Sequence, residues 1–255
     1  MCRHLAYLGP PAPLRSLLTD PPHSLYRQAW APRRQRHGTV NADGFGIGWY
    51  ADGDPVPARY RRAVPIWGDP SLPDLARVTR SGAVLAAVRS ANEGSALGEA
   101  AAAPFGGGPW LFSHNGRLDG WPAAAAGLAP GAATLLSMDA MVDSAFLWAL
   151  VFERLRAGQP MGTALAGTIG AVEAGGGTGR FNFLVTDGHS IAATACGDTL
   201  WYRADGESVV VASEPFDDEP GWAAVPDRHL LTASALETSV RPLTDSDVST
   251  EGILT

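Results

Sequence analysis

The sequence predicts an α+β protein in which two sheets are covered by helices on the outside, and three features carry that prediction. Period-two apolar segments come early, helical spacing fills the middle of the chain, and alternating segments return after a glycine run.

In chain order, Leu5, Tyr7 and their neighbours suit a short first strand, and Pro13 to Trp30 reads as broken helix interrupted by Pro21 and Pro22. Phe45, Ile47 and Trp49 alternate with Gly44, Gly46 and Gly48, a strand whose glycine side admits close backbone approach. Gly82 to Val88 and Trp110 to Ser113 have the composition of buried strands. Met141, Ala145, Trp148, Phe152 and Leu155 recur at helical spacing and predict a long amphipathic helix over Asp139 to Ala157. A second helix follows Pro160 and reaches Val172. Beyond Gly175-Gly176-Gly177, the segments Phe181 to Thr186, Ile191 to Ala195, Leu200 to Tyr202, Ser208 to Ala212 and Ser239 to Leu243 alternate again. No internal repeat and no long linker divides them.

Composition narrows the chemistry. With 255 residues, 45% of them hydrophobic and 18% charged, the chain reads as a soluble globular protein, either one large domain or two tightly packed halves. A net charge of −7 argues against a nucleic-acid partner. The one basic cluster, Arg33, Arg34 and Arg36, suits a solvated loop or a local anion site. All 19 basic residues are arginine, so Schiff-base, pyridoxal-phosphate and phosphate-loop lysines are excluded. Two cysteines, Cys2 and Cys196, give no disulfide framework and no four-cysteine zinc site, which fits a reducing, cytoplasmic setting. Cys196 reads as a small buried hydrophobe. Met1 to Leu8 has no signal-peptide pattern, and the alanine-rich stretch Ala123 to Leu136 is broken by Gly127, Pro130 and Gly131, so no membrane span is expected.

Two features carry nucleophilic chemistry. Cys2 follows the initiator methionine, and removal of Met1 would leave a thiol and a free α-amine on one Cα. An α-amine titrates at ~7.7–8 and can take the thiol proton itself; a cysteine here can equally be the buried start of the first strand. Ser113-His114-Asn115-Gly116 is the second feature. An Asn-Gly pair closing a strand is a turn signal. It is also a potential oxyanion hole, because the asparagine amide and the glycine N–H can converge on one oxygen, each such donor being worth about 3–4 kcal/mol in a transition state. The turn and the hole are compatible. His114 has two readings, a packed strand residue or a base. His4 falls on the same strand face as Cys2, and a free Cys-Arg-His terminus could wrap Cu(II) or Ni(II); a terminus locked into a sheet could not.

Several segments in order carry a resemblance: Cys2-Arg3-His4, Asn41-Ala42-Asp43-Gly44-Phe45-Gly46-Ile47-Gly48, Val88-Arg89-Ser90-Ala91, His114-Asn115-Gly116, Asp143-Ser144 and Ala212-Ser213-Glu214-Pro215. Together they resemble the class II glutamine amidotransferases, N-terminal-nucleophile hydrolases of the four-layer αββα fold with two stacked, mainly antiparallel sheets. The opening through Trp49, Ser213 to Asp218 and Val225 to His229 are similar to the ergothioneine-biosynthesis amidohydrolase family, which cleaves γ-glutamyl-hercynylcysteine S-oxide to glutamate and hercynylcysteine S-oxide.

The resemblance implies one domain over residues 1–255, with Cys2 as nucleophile, its amine as base, and Asn115 and Gly116 as oxyanion hole. It implies Arg89 for the glutamyl α-carboxylate and Asp143 for the α-ammonium, with Asn92 and His114 also lining the substrate site. The plain alternatives are an ion pair at a strand end for Arg89 and helix capping for Asp143. Asn92 stands where many members have threonine, and Ser90 where many have an aromatic residue. No metal or cofactor is implied, and the partner is a small γ-glutamyl molecule. The other functional readings are a glutaminase subunit that feeds ammonia to a partner and an inactive scaffold. Trp30, the Arg33 to His37 loop, Asn41, Trp67 and Trp201 are candidates for a pocket around a quaternary ammonium.

Overall fold

The computed structural model describes residues 2–38, 40–91, 95–128, 131–136 and 138–243. In order these form β1 (Arg3–Pro13), α1 (Arg15–Leu18), α2 (Leu25–Gln28), β2 (Phe45–Trp49), β3 (Ala58–Arg62), α3 (Leu72–Val78), β4 (Arg80–Val88), β5 (Phe105–Gly107) and β6 (Trp110–Leu118). There follow α4 (Ala132–Leu136), α5 (Asp143–Arg156), α6 (Met161–Ala174), β7 (Gly179–Thr186), β8 (Ile191–Ala195), β9 (Trp201–Ala204), β10 (Val209–Ala212), β11 (Ala223–Ala224), β12 (His229–Ala233) and β13 (Thr238–Pro242).

Among the described residues the strands make two sheets. Sheet A runs β11-β9-β10-β1-β4-β2-β3 and sheet B runs β13-β12-β8-β7-β6-β5. Neighbouring strands pair antiparallel throughout both.

Side-chain alternation sorts the core into three apolar layers. Leu5, Tyr7, Phe45, Ile47, Val84 and Ala86 face Leu14, Leu17, Leu25 and Leu72 of the short-helix side. Ala6, Leu8, Leu85, Leu111, Leu184 and Leu231 fill the space between the sheets. Phe112, Phe181, Phe183 and Val185 pack beneath Phe146, Trp148, Leu165 and Ile169 of α5 and α6. The expected αββα layering is present, with long helices on one side and short ones on the other.

The two long helices and the late strands fall where the periodicity puts them, with ends shifted by a few residues. β3, β5, β11, β12, α3 and α4 lie outside the predicted segments. β3 is Ala-Arg-Tyr-Arg-Arg, an edge strand whose charges blunt further pairing but erase the apolar alternation. β1 is longer than expected because its ladder to β4 shifts register between Leu8 and Ala12, where its prolines sit. The turn reading of Asn115-Gly116 is overturned: β6 continues through both residues to Leu118, paired with β7 all the way.

The glycine side of β2 faces sheet B and makes the close approach expected of it. A Cβ at Gly48 would stand 2.5 Å from Leu111 Cδ1, and one at Gly46 would collide with the Ala103 carbonyl. Backbone cannot give way as a side-chain tip does. Gly46→Ala is therefore expected to cost about 1–3 kcal/mol, the usual range for overpacking. Urea unfolding of the two proteins checks this, and an unchanged midpoint would remove the close-approach argument.

Candidate active site

The first residues of β1 lie between β10 and β4. His4 N–H donates to Ser213 Oγ at 3.1 Å, and Ser213 N–H donates to the His4 carbonyl at 2.9 Å. On the other side Arg3 pairs with Val88, so extending the register by one pair sets Cys2 against Arg89. Even-numbered β1 residues face sheet B, and partly buried Cys2 continues that row. His4 N is thus committed to the sheet, which opposes the copper- or nickel-wrapping alternative.

Arg89 is 7% exposed and, among the described residues, hydrogen-bonds two carbonyls, Asp43 O at 3.3 Å and Ala96 O at 2.9 Å. No carboxylate of the described residues pairs with it. Its charge is oriented but not neutralised, a poor end state for a buried cation and a ready one for an incoming carboxylate. Asp43 stiffens this corner by accepting from Ala91 N–H at 2.8 Å.

Asn115 reaches across from sheet B. Fully buried, it places Nδ2 3.5 Å from Ser213 Oγ, while Oδ1 has no hydrogen-bond partner among the described residues. The same hydroxyl therefore meets both β1 and the asparagine. Gly116 is needed for space: a Cβ there would lie 2.5 Å from His114 Nε2 and collide with the Arg180 carbonyl.

His114 is on the opposite face of β6. Its Nδ1 meets Ser144 Oγ at 3.0 Å, Nε2 meets the Arg180 carbonyl at 2.8 Å, and the ring packs against Phe181 and Phe183. Strand alternation puts it in the helix-facing layer, where both nitrogens are engaged. Asp143 opens α5 and accepts from Leu118 N–H at 3.0 Å and Ser144 N–H at 2.8 Å. The N-cap of α5 is Val142, with no side-chain cap, so Asp143 serves the helix start as a first-turn carboxylate, and it keeps lone pairs for a ligand. Asn92 lies outside the described residues.

Other polar residues at this end were given no role from sequence. Asn182, directly opposite Asn115, accepts from Cys196 N–H and Asp198 N–H and donates to the Asp198 and Thr199 carbonyls, so it shapes the turn after β8. An asparagine between Phe181 and Phe183 was the available signal. Arg3, fully buried, lies 3.9 Å from Glu214 and donates Nε to Gln35 Oε1 at 3.1 Å. Burial lowers the Arg3 pKa, while the Glu214, Asp198 and Cys2 charges raise it. Glu214 also accepts from Arg33 N–H and Arg34 N–H at 2.9 and 2.7 Å, tying the arginine loop to the strand end. The suggested ammonium pocket is not assembled as one unit. Trp30 and Trp67 meet edge-on in the short-helix layer, and the Trp201 face is already covered by the Arg34 guanidinium at 4.5 Å.

The family model for class II glutamine amidotransferases matches residues 19–218. The chain belongs to that family. It is 45% identical to the γ-glutamyl-hercynylcysteine sulfoxide hydrolase of Mycolicibacterium smegmatis, over 95% of this chain and all of that one. It is 44% identical to the protein of the same name from Mycobacterium tuberculosis, over 91% of this chain and 92% of that one. A class II domain protein from Silicibacter pomeroyi superposes with a TM-score of 0.66 at 24% identity, covering 94% of this chain and 99% of its own. The phosphoribosylpyrophosphate amidotransferase of B. subtilis superposes equally well, at 0.66 and 16% identity, over 95% of this chain and 49% of its own. These two show the fold. Among the described residues no helix is long and apolar enough to cross a membrane.

His4 gives this site a measurable acid limit. Burial, with His114 and Arg3 adding to it, lowers its pKa from 6.5 to about 3, and burial lowers that of His114 as well. Both rings are held neutral in the fold and take up protons when unfolded. Their contribution is present above pH 6.5 and is lost as pH falls toward the folded value, at about 1.4 kcal/mol per unit for His4. Denaturant unfolding at pH 7 and pH 5 should show this loss, and His4→Gln should flatten the slope between them.

Proposed function

We propose that this protein hydrolyses the γ-glutamyl amide of γ-glutamyl-hercynylcysteine sulfoxide, releasing glutamate and hercynylcysteine sulfoxide, through a thioester on Cys2. The observation that supports the reading is the ladder that pairs Arg3 with Val88, whose extension by one pair would set Cys2 against Arg89, while Ser213 joins β1 to Asn115. The two 44–45% identical relatives bearing that activity in their names support the substrate. Residues 1–255 act as one catalytic domain on a small molecule.

Removal of Met1 frees the Cys2 amine, which accepts the thiol proton as Sγ attacks the γ-carbonyl carbon. The C–S bond forms, the carbonyl π pair moves to oxygen, and Asn115 Nδ2 with Gly116 N–H receives that oxyanion. The amide oxygen and nitrogen of asparagine are nearly the same size, so a half-turn lets Ser213 donate to Oδ1 and aims Nδ2 into the cleft. As the intermediate collapses, the C–N bond breaks and the ammonium returns its proton to the leaving nitrogen. Water, deprotonated by the same amine, then adds to the thioester; glutamate departs and the thiol is restored. Arg89 holds the glutamyl α-carboxylate in a two-pronged grip, and Asp143 receives the α-ammonium. Fixing both ends of the amino acid directs the amide at the sulfur.

Cys2→Ala is expected to abolish turnover while ligand binding persists, and Asn115→Ala to lower kcat about 10²–10³-fold. Steady-state rates and equilibrium dialysis separate the two effects. Comparing kcat/KM for glutamine, γ-glutamylcysteine and γ-glutamyl-hercynylcysteine sulfoxide tests the substrate; equal values would remove it. Mass spectrometry of active protein must show Met1 absent, since a retained methionine would falsify the amine-as-base mechanism.

A further inference from the structure

One arginine pair at the open end of the cleft has no part in the chemistry above. Arg117 and Arg180 are direct cross-strand partners on β6 and β7, one step beyond the Asn115–Asn182 pair on the same face. They therefore project toward sheet A beside the proposed oxyanion hole. Like charges set opposite one another are unfavourable. Each has a carboxylate nearby: Asp119 lies 2.6 Å from Arg117 Nε, and Asp198 lies 3.4 Å from Arg180 Nε.

The two arginines differ in how firmly they are held. Arg117 is half exposed, whereas Arg180 is 17% exposed against a wholly buried Asp198 side chain. The Arg180 carbonyl is pinned by His114 Nε2 at 2.8 Å, and its Cγ lies where a Cβ on Gly197 would stand 2.7 Å away. The contact with Asp198 is an ion pair without a hydrogen bond: Arg180 Nε and both Asp198 carboxylate oxygens are buried and have no hydrogen-bond partner among the described residues, so the planar, permanently charged guanidinium fork keeps its donors for a ligand.

Strand order says which part of a substrate this fork meets. Arg89 lies on the β4 side of β1, and β10 lies on the other side. The turn bearing Asp198 is fastened to the β10 side, where Thr199 Oγ1 donates to the Ser213 carbonyl at 2.8 Å. A glutamyl chain running from Cys2 to Arg89 thus sends its leaving amine toward Arg180. In a γ-glutamyl-amino acid the carbon next to that nitrogen bears a carboxylate; in glutamine the nitrogen bears only hydrogen. We propose that Arg180, braced by Asp198, binds the α-carboxylate of the leaving amino acid and so selects γ-glutamyl-amino acids over glutamine. This assignment rests on the reading of Cys2 as the γ-glutamyl acceptor.

The test compares γ-glutamylcysteine with its C-terminal carboxamide, which differ only in the carboxylate at issue. The wild-type protein should favour the acid in kcat/KM by about tenfold or more, as for a hydrogen-bonded charge. Arg180→Gln should bring the ratio close to one. Equal rates in the wild type, or an Arg180→Gln loss that falls equally on both compounds, would overturn the assignment, and the wild-type comparison needs no variant to fold. Failure to hydrolyse any γ-glutamyl compound, with Met1 removed, would instead sink the Cys2 reading and this assignment with it.

Discussion

The Ser213 hydroxyl is the contact on which the rest of the site depends. It receives the His4 amide from β1 and lies within reach of Asn115 from the facing sheet, so one oxygen sets the spacing between the chain's first strand and its proposed oxyanion donor. Both partners are fully buried, and neither can find water if the hydroxyl is lost. Two stacked sheets fix their separation through apolar packing, here Ala6, Leu85, Leu111 and Leu184. Packing alone does not fix how far one sheet slides along the other. A directional contact at the cleft mouth does, and its neighbours repeat the device: Thr199 bonds the Ser213 carbonyl and Asn182 wraps the turn that carries Thr199.

Much of the fold was legible because apolar periodicity is written directly in the residues, as in Phe45-Gly46-Ile47-Gly48-Trp49 and along α5. What escaped notice had its signal covered by another demand. β3 reads as charged because it is an edge, and Asn115-Gly116 reads as a turn because that pair usually is one. The glycine there answers to the Arg180 carbonyl and the His114 ring, contacts more than sixty residues away in sequence for the former. In the site, Cys2, Arg89, Asn115 and Asp143 were visible as residue types in order. Ser213 was visible only as part of a motif, without its role, and Asn182 and Asp198 were not visible, since these roles follow from a register between strands that no local pattern reports.

Three arginines at this end show how burial sorts cations by purpose. Arg3 has no exposure and faces Glu214, a pair that fixes the strand end and the arginine loop together. Arg180 is braced along one edge by Asp198. Among the described residues, Arg89 has carbonyl oxygens as its partners. Carbonyl dipoles orient a guanidinium without cancelling its charge, so Arg89 retains the strongest pull on an anion that arrives from solvent. The same reasoning explains why arginine suits buried positions of this kind: a desolvated lysine surrenders its proton far more readily than a guanidinium does.

That permanence bears on the chemistry proposed for Cys2. A thiol and an α-amine can exchange a proton productively only if no neighbouring group competes for it near neutral pH. The guanidinium groups around the cleft do not release theirs. His4 and His114, which would be the natural competitors, are kept neutral by burial and have ring nitrogens engaged by Ser113, Ser144 and the Arg180 carbonyl. A chain that lacks lysine and hides these two histidines thereby removes the basic side chains that would compete with the amine in the proposed chemistry. A self-contained acid–base pair needs that isolation more than it needs a partner.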